Sequence, residues 1–181
     1  MTADDALVAV IRALEQIGGP YVLVGSLVTS FHGIPRSTRN ADIVLAIDAS
    51  TMDRLAAALE PGLRLQPQTS CETVTGTVRH VVEVLGSPFI IEVFGTSDDP
   101  HDQARMARRQ RVRLLDQYTW VLTAEDIVIT KLRWGQYANR SKDLDDARNV
   151  LAVREGDRDM AYIRRWCGTH GTIAILERLL A

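Results

Sequence analysis

The sequence has 181 residues, which is enough for one domain, or for one domain with a small helical annex. Hydrophobic residues make up 46% and charged residues 24%, as in an ordinary soluble globular protein, and the formal net charge of −2 excludes a polycation. Any nucleic-acid binding therefore requires a local basic patch. The N-terminus lacks the basic region of a signal peptide, and no apolar run approaches the roughly 20 residues of a membrane span, so we expect a cytoplasmic protein without membrane contact.

The first third of the chain alternates between helical and strand patterns. Apolar residues recur at spacings of three and four before Gly18-Gly19, which predicts an amphipathic helix. The run YVLV is short and continuously apolar, which favours a buried strand. In chain order the predicted elements are a helix at 4–17, a strand at 21–24, a helix at 27–31 entered through Gly25-Ser26, a loop at 32–39, a strand at 43–47 and a helix at 51–59 capped by Ser50.

The remainder of the chain changes from strands to helices. Two strands are predicted at 74–85 and 89–94 around the turn Gly86-Ser87-Pro88, and a last short strand at 120–122. Thr123 is a typical N-cap, because acids follow it in the first helical turn. Further helices are predicted at 141–153 and 158–180. This order predicts an α+β fold, with a mixed α/β core at 1–122 and a helical region at 123–181.

Gly25-Ser26 stands where a strand ends and a helix begins. Backbone N–H groups and the helix dipole at such a turn favour an anion, and glycine allows a phosphate to approach closely. The Ser26 hydroxyl can add a hydrogen bond. The alternative is a simple tight turn without a ligand.

Three oxygen-bearing side chains follow on strands. Asn40 and Asp42 are two residues apart, so on an extended strand they project to the same face and can share a hard divalent cation. Glu92 is the only charge in the apolar run FIIEVF, and charges rarely occur in such a run unless they are paired or bind metal. The alternatives are a polar strand end facing water for the first two and a surface position on an edge strand for Glu92.

Basic and acidic residues recur in the helical region. Lys131 lies on the helix that starts near residue 124, while Arg140, Lys142, Asp143 and Asp146 lie at the head of the next helix. Asp143 and Asp146 share a helix face because they are three residues apart. A lysine and an arginine from adjacent helices can clamp a triphosphate. An exposed ladder of salt bridges is the alternative.

Taken in order, these motifs resemble the nucleotidyltransferase superfamily. They are Gly25-Ser26, Asn40-x-Asp42, the acid Glu92 in an apolar strand, EDIVITKL around Lys131 and RSKDLDD at 140–146. Arg36 and Thr38 are similar to the R-x-T that precedes the acid pair in the family. The resemblance covers residues 20–150 and is closest to the AbiEii-like and MenT-like branch, whose members include toxins of toxin–antitoxin pairs.

The resemblance implies a fold, an activity and a set of roles. The fold would be a nucleotidyltransferase-like mixed sheet with flanking helices, and the activity would be transfer of a nucleoside monophosphate from an NTP to an acceptor such as tRNA or another RNA, with an antitoxin protein as a further partner. The implied catalytic residues are Asn40, Asp42, Glu92 and Lys131, of which the first three would hold Mg²⁺. The implied nucleotide-binding residues are Gly25, Ser26, Arg36, Thr38, Lys131, Arg140 and Asp143.

Asn40 departs from the family pattern, which has an acid at this position. Two metals about 4 Å apart stabilise the attacking and leaving oxygens in such reactions, and their shared ligands should be anionic. An amide oxygen carries no full charge, so Asn40 is expected to weaken metal binding and slow the chemistry. It is compatible with a natural one-metal enzyme, with a degenerate member that only binds, or with an engineered substitution that silences the enzyme.

The other polar and aromatic features have less specific interpretations. A basic run contains Arg105, Arg108, Arg109, Arg111 and Arg113, and is either solvated surface or an RNA-binding patch beside the site. His32 is interpreted as a loop side chain, and Cys71 and Cys167 as reduced thiols because their spacing matches no metal site. The three tryptophans are interpreted as core residues, although Trp134 or Tyr137 could stack a base.

Three hypotheses about function follow from the sequence. The first is a Mg²⁺-dependent nucleotidyltransferase, favoured by Lys131 together with Asp42 and Glu92. The second is a non-catalytic nucleotide- or RNA-binding module on the same fold, favoured by Asn40. The third is an unrelated α/β protein in which the motif matches are accidental.

Overall fold

The structure, a computed structural model, describes residues 1–72 and 76–181. Within these residues the helices are α1 (Ala3–Ile17), α2 (Gly25–His32), α3 (Thr51–Ala58), α4 (Pro100–Arg108), α5 (Ala124–Ala138), α6 (Ser141–Val153), α7 (Met160–Thr169) and α8 (Ile173–Leu180). The strands are β1 (Tyr21–Val24), β2 (Asn40–Leu45), β3 (Leu63–Leu65), β4 (Ser70–Cys71), β5 (Val78–Val84), β6 (Ile90–Gly95), β7 (Gln110–Leu114) and β8 (Gln117–Val121). In the part of the chain so described, no helix is long and apolar enough to cross a bilayer.

All the described strands join one mixed sheet. Its order is β3-β5-β6-β2-β1-β8-β7, and the short β4 pairs with β5. β2 lies near the middle, antiparallel to β1 and parallel to β6. The predicted α+β class with a mixed sheet is therefore confirmed, and the strand that carries Asn40 and Asp42 has a neighbour on each side.

Local sequence explains the ends of the main helices. Thr2 and Asp5 form a capping box at the start of α1, which then buries an apolar stripe that includes Leu7, Val10 and Leu14. The predicted N-cap Thr123 is confirmed, because its side chain accepts a hydrogen bond from the backbone N–H of Asp126. The Ser50 hydroxyl, predicted to cap α3, makes no capping bond. It donates instead to Asp48 Oδ1 at 2.9 Å.

Several predicted boundaries were displaced. The second strand was predicted at 43–47 but begins at Asn40, so both polar side chains lie within β2 rather than before it. The single helix predicted at 158–180 is wrong, because Gly171 at φ +70° separates α7 from α8. Val74, the predicted start of the next strand, lies outside the described residues, and β5 begins at Val78.

Two unpredicted elements occupy the basic segment. Asp99 caps α4 by accepting from the N–H groups of His101 and Asp102, and Pro100 occupies the first turn. β7 then pairs with β8 as the edge strand of the sheet. Both elements are short and contain few apolar residues, so the apolar pattern alone did not reveal them.

Candidate active site

A cleft of about 760 Å³ opens at one edge of the central strands. Its walls come from β1, α2, β2, β5 and β6 on the sheet side and from α5 and α6 on the helical side. Of the predicted site residues, the cleft is lined by Gly25, Ser26, Arg36, Asn40, Asp42, Glu92, Lys131, Arg140 and Asp143. The fold therefore gathers side chains that are more than 100 positions apart in the chain.

Strand register places the two acids side by side. β2 and β6 run parallel, and Asp42 is the direct partner of Glu92. Asn40 projects to the same face, as predicted from the two-residue spacing, because its Nδ2 donates to Asp42 Oδ1 at 2.8 Å. The same nitrogen also donates to Glu92 Oε2. Glu92 lies on an interior strand of the sheet with a side chain that is only 14% exposed, so the edge-strand alternative is wrong.

The amide of Asn40 bridges the two carboxylates. Each acid accepts from Asn40 Nδ2, and Thr38 Oγ1 donates to Asn40 Oδ1 at 3.3 Å and to the Asn40 backbone carbonyl at 3.0 Å. Thr38 thus orients the amide and is not among the residues that line the cleft. Its place beside Asn40 indicates a positioning role rather than direct contact with a ligand.

The acid pair is electrostatically frustrated. Burial, followed by the charge of Glu92 and a hydrogen bond to it, raises the pKa of Asp42 from 3.8 to about 7, although Lys131 and Arg79 act in the opposite direction. A group whose pKa is raised on folding removes stability as the pH rises between its two values. The metal-free fold therefore loses stability as the pH rises from 3.8 to about 7, and the loss is complete above that range.

Gly25 brings the backbone against the acids. Its φ is +65°, and a Cβ at this position would lie 2.0 Å from Asp42 Oδ2 and 2.8 Å from Asp42 Cγ. The antiparallel pairing of β1 with β2, in which Val24 is opposite Asp42, produces this approach. Glycine is required here both for its backbone conformation and for its lack of a side chain.

Ser26 is held by an arginine from the following loop. Arg36 Nη2 donates to Ser26 Oγ at 2.7 Å, and the same guanidinium binds both oxygens of Asp146 at 2.8 and 2.7 Å. Because Ser26 Oγ accepts from Arg36, its own proton remains available to donate to an anion. Arg36 therefore fixes the serine at the start of α2 and joins it to α6.

Lys131 belongs to the same charge network. Its Nζ lies 2.7 Å from Asp143 Oδ1 and 2.9 Å from Asp146 Oδ2, and the three side chains are 9%, 9% and 4% exposed. Burial acts to raise the pKa of Asp146, but hydrogen bonds and charges from Arg36 and Lys131 lower it below its ordinary value. The alternative of an exposed ladder of salt bridges is therefore wrong, because these residues form a buried network that connects α2, α5 and α6.

The donor set fits one hard cation. Asp42 and Glu92 supply two facing carboxylates, and a half-turn of the Asn40 amide would present an oxygen in place of its nitrogen. The raised pKa of Asp42 shows that a second negative charge beside Glu92 is unfavourable, and a bound cation would neutralise it. Among residues 1–72 and 76–181, no three His, Cys, Asp or Glu side chains converge on a metal position. The set does not fit two cations bridged by anionic ligands.

Magnesium should stabilise this protein through Asp42. At ten times its Kd, Mg²⁺ should raise the free energy of unfolding by about 1.4 kcal/mol. Asp42→Asn should abolish this response, and in EDTA at pH 8 it should raise the Tm, because it removes a carboxylate whose pKa is raised in the folded state. Thermal unfolding with and without Mg²⁺ measures both effects. Asp145→Asn, at an exposed position on α6, is the matched control, and an undiminished Mg²⁺ response in Asp42→Asn would contradict the assignment.

The other aromatic side chains singled out from the sequence lie in three different environments. Trp134 lines the cleft, and the Arg140 guanidinium lies 5.8 Å from the centre of its ring. Tyr137 is 69% exposed and does not line the cleft. His32 is a buried side chain of α2 rather than a loop residue, since its Nε2 lies 2.7 Å from the Leu122 carbonyl and burial lowers its pKa.

The basic run does not form a patch beside the acids. β7 is the edge strand and is separated from β2 by β8 and β1, so the predicted position next to the site is wrong. Arg111 pairs with Glu15, and Arg113 with Asp116. Arg105 does line the cleft, where it pairs with Asp102 at 2.9 Å.

Two positions of the candidate site were missed or underrated from the sequence. Arg79, on β5, forms an ion pair with Glu92 and lines the cleft. Its signal in the sequence was weaker than that of Glu92, because the strand VRHVVEV also carries a histidine and a glutamate. Asp146 was recognised only as a helix neighbour of Asp143, whereas it accepts from both Arg36 and Lys131.

The fold is similar to that of solved nucleotidyltransferases. The antibiotic-resistance factor ANT(2'')-Ia in solution superposes with a TM-score of 0.64 at 11% identity, over 97% of this chain and 95% of that chain. Its crystal structure in complex with adenylyl-2"-tobramycin gives 0.65 at 10% identity, over 95% of this chain and 98% of that chain. An antigenic nucleotidyltransferase-like protein from Paracoccidioides brasiliensis gives 0.57 at 16% identity, over 99% and 93%.

These likenesses confirm the nucleotidyltransferase-like fold over nearly the whole chain. At such low identity they establish a shared fold and leave activity to be argued from the site. No protein-family model matches the chain. No curated protein matches it either.

Proposed function

We propose that this protein transfers a nucleoside monophosphate from an NTP to an acceptor, with one Mg²⁺ held by Asp42, Glu92 and the amide oxygen of Asn40. One observation carries the proposal. The register of β2 and β6 sets two carboxylates side by side, directly against the Gly25-Ser26 turn, in a cleft large enough for a nucleotide. Acids beside an anion-binding turn are what a metal-bound triphosphate requires.

Different residues of the cleft would make different contacts with the triphosphate. Gly25 leaves room for the Asp42 carboxylate beside the turn, and the free proton of Ser26 donates to a phosphate oxygen. Lys131 adds positive charge to the opposite wall, where Asp143 and Asp146 hold its ammonium in place. When bound, Mg²⁺ would neutralise charge that develops on the transferred phosphoryl group. Asp42, Glu92 and Asn40 position it.

The helical wall of the cleft supplies the base and outer-phosphate contacts. Trp134 offers an aromatic face on which a nucleobase can stack, a contact that contributes roughly 1–3 kcal/mol. Arg140 lies beside Trp134, and Arg140 and Lys142 line the cleft near the start of α6. In this arrangement, Arg140 binds the outer phosphates and Asp143 orders Lys131 without touching the nucleotide.

We propose that the acceptor is a hydroxyl-bearing molecule, either tRNA, as the toxin-like branch implies, or an aminoglycoside. The second class is supported by fold alone, since ANT(2'')-Ia was solved with adenylyl-2"-tobramycin. An antitoxin protein would accompany the first class. Total tRNA and tobramycin are therefore the two acceptors to test.

A non-catalytic nucleotide-binding protein is the second candidate, and one observation favours it. Asn40 Nδ2 donates to both acids, so the amide itself supplies the positive partial charge that a cation would bring. In such a protein the cleft would bind an NTP without Mg²⁺ and transfer nothing. The difference between the two candidates thus depends on position 40.

Asn40→Asp should separate the two candidates. A third carboxylate raises the negative charge of the ligand set, so Mg²⁺ affinity should rise about tenfold or more and transfer from labelled NTPs should accelerate. In EDTA the same variant should have a lower Tm, because three acids then repel one another without a cation. Transfer to tRNA or tobramycin is measured with each of the four NTPs, and Mg²⁺ binding by calorimetry.

The control is Asn139→Asp, which adds the same charge to another asparagine that lines the cleft. It should leave Mg²⁺ affinity unchanged within about twofold. Transfer by the unsubstituted chain supports the one-metal enzyme. Transfer only by Asn40→Asp supports a silenced site, and nucleotide binding without transfer in both supports the non-catalytic candidate. If neither chain binds any NTP, the proposed function is wrong.

A further inference from the structure

We propose that Arg79 exchanges partners during nucleotide binding, pairing with Glu92 in the metal-free protein and binding the triphosphate once Glu92 ligates the cation. This inference rests on the proposed function and names a residue that the sequence motifs do not include. It makes Arg79 the element that couples cation binding to triphosphate binding.

Strand pairing places Arg79 beside Glu92. β5 is antiparallel to β6, with Val81 opposite Glu92 and Arg79 opposite Phe94, so Arg79 and Glu92 are diagonal neighbours on one face of the sheet. Both Nε and Nη2 of Arg79 contact Glu92 Oε1, and Nη1 donates to Ser70 Oγ at 3.2 Å. The arginine is 32% exposed and lines the cleft, so its head can turn toward a ligand there.

Three other cations that line the cleft have different partners. Arg36 pairs with Asp146, Lys131 with Asp143 and Asp146, and Arg105 with Asp102. These acids lie on α4 and α6, whereas the proposed cation ligands lie on β2 and β6. Among the described ion pairs of the cleft wall, Arg79 is therefore the cation whose carboxylate also belongs to the proposed metal set.

Glu92 Oε1 cannot ligate a cation and keep its full ion pair with Arg79. In the metal-free protein, Oε1 accepts from Arg79 and Oε2 accepts from Asn40, so both oxygens are engaged. The half-turn of the Asn40 amide frees Oε2 alone, so a cation that Glu92 binds through both oxygens releases the guanidinium and leaves a positive charge in the cleft without its counterion. Such a charge is costly until an anion arrives, and a planar guanidinium suits two phosphate oxygens.

The consequence is a reciprocal coupling between cation and triphosphate. A cation alone has to displace Arg79, so it binds more weakly than the acids alone would allow. A triphosphate that takes up Arg79 removes this competition, and by linkage each ligand raises the affinity for the other.

Arg79→Gln provides the test, with Mn²⁺ and inorganic tripolyphosphate as the probes. Calorimetry with Mn²⁺ alone should give an affinity about tenfold tighter than that of the unsubstituted chain, because the competitor is gone. Calorimetry with tripolyphosphate at saturating Mn²⁺ should give an affinity about tenfold weaker, because a phosphate ligand is gone. A tighter Mn²⁺ affinity together with a weaker tripolyphosphate affinity in one variant indicates exchange of partners. If Arg79 had only a structural role, its loss would weaken both affinities.

Two further variants complete the experiment. Arg64→Gln is the matched control, because Arg64 pairs with Glu83 at 2.7 Å on neighbouring strands of the same sheet and does not line the cleft. Both of its affinities should stay within about twofold of the unsubstituted values. Arg79→Lys keeps the charge but loses the planar fork, so its Mn²⁺ affinity should be nearly unchanged while tripolyphosphate binds more weakly.

The outcomes are separable. Weaker Mn²⁺ binding by Arg79→Gln would show that Arg79 supports Glu92 instead of competing for it, and would overturn the proposal. Unchanged tripolyphosphate binding would overturn its phosphate half. If the unsubstituted chain binds Mn²⁺ but neither tripolyphosphate nor any NTP, the proposed function fails with the phosphate half, while the Mn²⁺ titrations still decide whether Arg79 competes for Glu92.

Discussion

Asp146→Asn should lower the free energy of unfolding by about 3 kcal/mol or more. The carboxylate is 4% exposed and neutralises two cations, with Arg36 bound to both of its oxygens and Lys131 at 2.9 Å. Without the charge, Asp143 is left to balance the buried Lys131 alone, and Arg36 loses its ion pair. Removing one partner of a buried pair is strongly destabilising because the other charge stays out of water.

Urea unfolding of Asp146→Asn measures this loss. The matched control is Asp145→Asn on the same helix, where the side chain is 63% exposed and pairs with the exposed Arg148, so a change within about 0.5 kcal/mol is expected. Equal stabilities for the two variants would mean that the network between α2, α5 and α6 contributes little to folding. Nucleotide binding should also weaken in Asp146→Asn, because Arg36 then no longer holds Ser26 firmly.

Gly25→Ala should destabilise the fold and also remove the cation site. A residue other than glycine at φ +65° costs roughly 1–2 kcal/mol, and the added Cβ would lie 2.0 Å from Asp42 Oδ2. Either the β1–α2 turn or the acid has to move. We expect the unfolding free energy to fall by about 3 kcal/mol and the Mg²⁺ response to disappear.

The control for Gly25→Ala is Gly171→Ala. Gly171 has a φ of +70°, and an added Cβ would meet no atom within 4 Å, so this variant carries the backbone strain without the clash. It should lose about 1 kcal/mol and keep its Mg²⁺ response. A Gly25→Ala protein as stable and as responsive to Mg²⁺ as Gly171→Ala would show that the turn does not press on the acid.

Much of the candidate site could be predicted because its chemistry follows strand periodicity. Asn40 and Asp42 are two residues apart, and a two-residue spacing puts side chains on one face whatever the neighbouring strands are. Glu92 was identifiable as a lone charge in an apolar run, since burial of such a charge requires a partner. The register of β2 and β6 places Asp42 beside Glu92. From the sequence, this pairing was supported only by the family resemblance.

The interactions that the sequence did not reveal are those between distant segments. Arg36 and Asp146 are 110 residues apart, and no local pattern indicates that the loop before β2 binds α6. The Arg79–Glu92 pair depends on the register of a hairpin whose turn was predicted but whose pairing was not. The break between α7 and α8 was missed because apolar residues continue on both sides of Gly171.

The long separation between Arg36 and its counterion has a consequence for synthesis. The arginine and the acids Asp42 and Glu92 emerge from a ribosome well before Asp146, and translation adds about 5–20 residues per second. During that interval, the nascent chain carries the first strands without the charge balance that α6 provides. The charge network of the cleft is therefore complete only once α6, which carries Asp143 and Asp146, has been synthesised and has docked.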